Sequence, residues 1–247
     1  MIVFDNITLK VHTQTLLEGT SLMLTDGEKA VLHGTSGSGK SSLLKSAVGA
    51  IPIQDGCVRI DDVELSAETV SEIRARVAFI GQEPVLGADT VQEALLMPFR
   101  FKAHRHNLPA KEKIHALLER LHLSKDILDK PCARISGGEK QRIAIARALL
   151  LGKTIFLADE ITSALDPESR AAVMDELFRP DITLLSVSHD PEWIARGNRV
   201  IEIADHKLKE RVADPQIGTR SEAGPKGQQR SGHQESEIKN PGAGGAP

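Results

Sequence analysis

The sequence predicts an α/β domain carrying a helical insert. Short apolar runs alternate with helical patterns, one such run enters a glycine-rich loop that opens a helix, and a mostly helical stretch interrupts the alternation between about residues 90 and 150. Residues 29–33, KAVLH, form a compact strand candidate leading into Gly34. After the loop, Leu43, Leu44, Ala47 and Val48 repeat at helical spacing. Further strand candidates are 58–60, 77–80, 154–158, 183–187 and 199–203, whose continuous apolar character fits a largely parallel sheet buried on both faces. In the insert, 90–96 reads as helix, and Ile114, Leu117, Leu118 and Leu121 mark one apolar helical face.

The bulk composition narrows the function. The chain has 247 residues, 40% hydrophobic and 26% charged, with a formal net charge of −3. That near-neutral balance argues against nucleic acid as the main partner, because phosphate-backbone binding needs a basic excess. No apolar run reaches the roughly 18–20 residues needed to cross a bilayer, and the opening MIVFDNITLK lacks a signal-peptide pattern. A cytoplasmic chain is therefore expected, with any membrane span supplied by another chain. Cys57 and Cys132 read as reduced, buried small hydrophobes, and His104 and His106 as part of a solvated loop. From Asp214 onward the sequence is rich in Gly, Pro, Gln, Ser and charge, which predicts a disordered tail over 214–247.

Residues 34–41, GTSGSGKS, match the phosphate-loop pattern G-x-x-x-x-G-K-[ST] between a predicted strand and a predicted helix. Gly34, Gly37 and Gly39 allow the backbone to wrap, so that N–H groups along Thr35, Ser36 and Ser38 point at phosphate oxygens. Lys40 is the point charge for the β- and γ-phosphates, Ser41 the hydroxyl for Mg²⁺, and Ser42 continues the cradle into the helix. Such a loop serves kinases, GTPases and ATPases alike. The apolar run TIFLADE ends in two acids at a strand's C-terminal end, where α/β sheets bind ligands. Asp159 is the metal-holding candidate, while Glu160 is placed to polarise a water for in-line attack, which favours hydrolysis. Gln82 and His189 follow two further strand candidates, as a Mg²⁺ ligand and a γ-phosphate donor respectively.

A second anion-receptive feature lies at residues 135–142, ISGGEKQR. Ser136 is a good N-cap, Gly137 and Gly138 leave backbone N–H groups uncovered, and Lys140 and Arg142 follow.

These motifs in this order resemble the nucleotide-binding subunit of ABC transporters over residues 1–210. The resemblance implies a phosphate-loop NTPase (RecA-like) core, with an N-terminal antiparallel β subdomain and a helical insert subdomain. The core is then split between 1–84 and 151–213, with the helical subdomain at 85–150. It implies binding of ATP and Mg²⁺, an integral-membrane permease as partner, and a position on the cytoplasmic face of the cell membrane. It also implies a head-to-tail homodimer in which Ser136, Gly137, Gly138 and Glu139 close on ATP held by the other subunit's Lys40 and Ser41. Asp166, in the SALD turn, is then a contact to that subunit, and residues 84–91 a contact to the permease. Ile135 and Glu139 stand where the family usually has Leu and Gln. The adenine-stacking position falls near Val11 and His12, in a chain with no Tyr. The wording of SGGEKQR, DEITSALD and LGADTVQEALLMPF is similar to the bacterial Fet-type iron-export ATPase subunit. The alternatives are transport of another small substrate and a non-transport ABC ATPase.

Overall fold

The computed structural model describes residues 1–211; the expected tail at 214–247 lies outside the described residues. Among the described residues ten strands form two sheets. The first is antiparallel, built from β1 (Ile2–Val11), β2 (Gln14–Leu24), β4 (Asp55–Ile60) and β5 (Val63–Glu64) in the order β2-β1-β4-β5. The second has six strands in the order β10-β9-β3-β8-β7-β6. They are β3 (Lys29–His33), β6 (Val77–Ile80), β7 (Ile155–Asp159), β8 (Thr183–Val187), β9 (Arg199–Ala204) and β10 (Lys207–Arg211). All pairings in it are parallel except that of β10 with β9.

Successive residues of the buried central strands face opposite sides, with the period of two that a sheet imposes. Ala30 and Leu32 of β3, Ile155 and Leu157 of β7, and Leu185 of β8 face one apolar core. That core is shared with the antiparallel sheet and with Leu43, Leu44 and Ala47 of α1 (Lys40–Ala47). Val31, Phe156, Ala158 and Leu184 face a second core. It is filled from the insert by α3 (Val91–Leu96), α4 (Lys111–Arg120) and α5 (Gly137–Leu150). Further apolar groups come from α6 (Pro167–Leu177) and from Trp193 of α7 (Pro191–Arg196). Covering on both faces is why these strands carry few polar residues. In the insert, Thr90 caps α3 in a reciprocal capping box with Glu93, and Ile114, Leu117, Leu118 and Leu121 are all buried.

One strand expectation needs correcting. Residues 58–60 belong to the antiparallel sheet, because β4 pairs with β1 in opposite direction. Val58 and Ile60 point inward while Arg59 between them is half-exposed, the alternation of a strand buried on one face. The short α2 (Val70–Arg76), with Ile73 its one buried residue, carries too little periodicity to be foreseen. Cys57 and Cys132 are free thiols and partly, rather than fully, buried.

Candidate functional site

The parallel order of the second sheet brings the C-terminal ends of β3, β6, β7 and β8 to one edge, where the phosphate loop, Gln82, Asp159, Glu160 and His189 collect. β3 ends at His33, and the Gly34–Gly39 loop turns the chain into α1. Gly39 occupies the N-cap of α1 at φ 105°, and a Cβ there would lie 3.0 Å from that of Leu16. The turn thus requires glycine for both backbone and space. Thr35, Ser36 and Gly37 form the exposed apex, while the Ser38 hydroxyl is buried with no hydrogen-bond partner among the described residues. Lys40 is buried, and its ammonium donates to the carbonyls of Gly34 (2.9 Å) and Thr35 (2.8 Å). Burial pushes the Lys40 pKa down, against the pull of the Glu160 and Asp159 carboxylates. Ser42 follows half-buried on α1.

Beside the loop, the Ser41 hydroxyl donates to the Asp159 carboxylate at 2.8 Å. Asp159 is the last residue of β7 and is buried. The next residue, Glu160, takes a left-handed turn (φ 49°), and its N–H donates to the Val187 carbonyl at 3.0 Å. This swings the carboxylate between two other strand ends. One oxygen accepts from the Gln82 amide at 3.1 Å, and the other stands 3.7 Å from His189 Nε2. The His189 ring meets His33 edge-on at 5.6 Å between centroids. Chemically this is a cationic phosphate cradle, a hydroxyl–carboxylate pair suited to a hard cation, and a carboxylate held by an amide and an imidazole. Ser41 and Asp159 are oxygen donors within one hydrogen bond of each other, and Gln82, donating through its nitrogen, keeps its amide oxygen for a metal shell. That donor set fits Mg²⁺, and the loop with its unpartnered Ser38 hydroxyl fits a polyphosphate.

Ser136, Gly137, Gly138, Glu139 and Arg142 of ISGGEKQR are not brought into this cluster. Their contacts run to Ala164, Leu121 and His122: a Cβ on Gly138 would lie 3.0 Å from the Ala164 carbonyl, and Arg142 donates to the carbonyls of Leu121 and His122. Ser136 caps α5 by accepting from the Glu139 N–H (3.2 Å), while the Glu139 carboxylate accepts from the Ser136 N–H (2.7 Å). Glu139 therefore has a structural role at the start of its own helix. That Ser136 N–H bond, with help from the Ser136 side chain, Lys130 and Arg142, holds the Glu139 carboxyl below the usual range against a smaller opposing push from burial.

A depressed folded-state pKa gives stability that is present above the ordinary carboxylate value and lost as pH falls through the folded one. Glu139→Ala should cost about 1 kcal/mol in urea unfolding at pH 7. The deficit should shrink below about pH 4, and Glu139→Gln should keep most of the wild-type stability. An unchanged Ala variant would dismiss the capping role.

Gly137 stands differently: a Cβ built on it meets nothing within 4 Å among the described residues, so their packing does not demand glycine there. Asp166 caps α6 by accepting from the Ser169 N–H at 2.9 Å. His12 sits exposed at the β1–β2 turn with φ 54°. Sequence reasoning missed Gln141, buried on α5 with its amide 3.4 Å from the Gly81 carbonyl, and Arg147, which donates to the carbonyls of Val85 and Leu86. Both hold the segment around Gln82 through backbone atoms, so no side-chain pattern marks them.

Residues 17–163 match the family model described as ABC transporter. The chain belongs to the ABC transporter family. Among relatives of this ABC ATPase, the energy-coupling factor transporter ATP-binding protein EcfA1 of Lactiplantibacillus plantarum is 32% identical over 220 residues, covering 85% of this chain and 76% of the relative. The glutamate/aspartate import ATP-binding protein GltL of Escherichia coli K12 is 35% identical over 217 residues, covering 85% and 90%. The fold agrees with that of a dimeric ATP-binding cassette solved in a post-hydrolysis state with ADP and Pi. Its TM-score is 0.76 at 28% identity, with 85% of this chain and 98% of that one covered. A second dimeric structure, of a bacterial ABC transporter cassette, gives 0.75 at 27% identity over the same shares. The ABC ATPase hydrolyses ATP. Among the described residues no helix is long and apolar enough to cross a membrane.

Proposed function

We propose that this chain is the ATP-hydrolysing subunit of a transporter whose membrane-spanning permease is a separate chain. The observation that carries this reading is the meeting of Ser41 with Asp159, and of Gln82 and His189 with Glu160, beside the phosphate loop. The roles follow from position. Lys40 and the loop N–H groups hold the β- and γ-phosphates, and Ser41, Asp159 and Gln82 hold Mg²⁺, which when bound offsets phosphate charge. Glu160 takes a proton from the attacking water, and His189 orients that water and donates to the γ-phosphate.

The loop site is one half of the catalytic unit. Ser136, Gly137 and Gly138, at the N-terminal end of a 14-residue helix, supply the other half to a second copy packed head to tail. The open space at Gly137 and the dimeric state of the related cassettes support this arrangement. A face holding Phe79 and Val85, both exposed, beside Pro84 and Pro98 takes the permease, which places the chain on the cytoplasmic side of the membrane.

Substrate choice lies with the permease. The iron-export reading is supported by the wording of three stretches, whereas the relatives above are named for energy-coupling factor transport and for amino-acid import. The test is reconstitution with the membrane protein encoded beside this gene. ATP hydrolysis should need Mg²⁺, stop with a chelator, and change rate when the permease and its substrate are present. Chelator-resistant hydrolysis, or hydrolysis indifferent to every neighbouring membrane protein, would defeat the reading.

A further inference from the structure

We propose that Arg170 is a positioning residue which, through Asp190, ties the Asp166 turn to the loop that carries His189. The proposal rests on the hydrolysis reading above, in which His189 serves the γ-phosphate and Asp166 meets the second subunit. Arg170 lies one helical turn beyond Asp166, its N–H donating to the Asp166 carbonyl at 2.9 Å. Its guanidinium reaches the Asp190 carboxylate at 2.7 Å, with the side chains 24% and 11% exposed.

Asp190 is fully committed. Its other oxygen accepts from the N–H groups of Glu192 (2.9 Å) and Trp193 (3.3 Å), capping α7, and its own N–H donates to the buried Ser188 hydroxyl at 3.1 Å. His189 is therefore bracketed by two fixed residues.

Helices α6 and α7 are held together at two ends. At the far end the Trp193 ring meets Phe178 edge-on at 4.9 Å, and its indole N–H donates to Ser186 at 2.9 Å. At the site end the hold is the Arg170–Asp190 pair, with the exposed Glu192 carboxylate 3.9 Å from the same guanidinium nitrogen. Arg170, Met174 and Phe178 recur at four-residue spacing along one helical face, so α6 acts as a bar against α7. A shift of the Asp166 turn is carried along one helical turn to Arg170, across an ion pair to Asp190, and one residue along the chain to His189. Contact with a second subunit thereby sets the imidazole relative to Glu160.

The pair is shielded enough that removing one partner leaves the other charge poorly compensated. Arg170 also keeps its Nε buried with no hydrogen-bond partner among the described residues. Lysine has no such group and retains the charge.

The test is steady-state ATP hydrolysis by the full chain with Arg170→Met, Asp190→Asn, their double variant and Arg170→Lys. Asparagine caps a helix as well as aspartate, so Asp190→Asn removes the ion pair and spares α7. Each single variant should lower kcat about tenfold with the ATP KM within about twofold of wild type. The double variant should be no slower than the slower single, and Arg170→Lys should recover most of the rate. Near-wild-type kcat in both singles would overturn the proposal. So would losses that multiply in the double variant, or a loss that Arg170→Lys shares in full. Wild type and Glu160→Gln are assayed alongside: an inactive wild type defeats the hydrolysis reading rather than the role of Arg170, and an active Glu160→Gln removes Glu160 as the base.

Discussion

Glu160→Gln binds ATP with Mg²⁺ as wild type does, yet turns it over about 10²- to 10⁴-fold more slowly. The substitution is isosteric and leaves the Lys40 cradle and the Ser41–Asp159 pair untouched. The property removed is basicity: an amide oxygen in place of the carboxylate takes no proton from water. The carboxylate now faces Gln82 at 3.1 Å and His189 at 3.7 Å, distances at which an amide still fits. Because ATP is held but not consumed, the closed pair of subunits accumulates, and light scattering should report ATP-dependent doubling of mass. Hydrolysis near the wild-type rate would remove Glu160 from the role of base. A monomer at saturating ATP, with the permease also present, would remove the closed pair.

Ser136→Arg abolishes hydrolysis while keeping ATP binding. In its own chain Ser136 bonds with the first turn of α5 and makes no hydrogen bond to the phosphate loop. Losing the cap costs about 1 kcal/mol of stability, which the many buried apolar residues of α5 absorb. In the proposed head-to-tail pair the large effect arises in the partner's site, where a bulky cation replaces a hydroxyl at the γ-phosphate. Fluorescent-nucleotide titration beside a phosphate-release assay separates the two quantities. Equal loss of both would mean that the stretch acts within its own chain.

How much of this was legible in the sequence follows from what each signal encodes. Residues 29–33, 77–80 and 183–187 were read because strands buried on both faces must be apolar throughout. Residues 58–60 misled because three residues cannot display one-sided alternation. GTSGSGKS and the acids after TIFLA were legible because their spacing alone specifies a strand end and a helix start. The left-handed turn at Glu160, which aims the carboxylate at Gln82 and His189, was not, since no residue type there announces it. Glu139, which stands where the family usually has Gln, completes a capping box with Ser136. Gln141, Arg147 and the Arg170–Asp190 pair lay beyond sequence reading because they act on elements distant along the chain or through backbone carbonyls.

In the proposed head-to-tail pair, a working site takes its phosphate loop from one subunit and its Ser136–Gly138 segment from another. Mixing two inactive variants tests it most directly. Lys40→Ala retains the segment but not the cradle, and Ser136→Arg retains the cradle but not the segment. If the site is composite, the mixture regains phosphate release well above either variant alone, through mixed pairs containing one complete site. If the mixture stays as inactive as its components while mixed pairs are shown to form, the site is complete within one chain and the account is wrong.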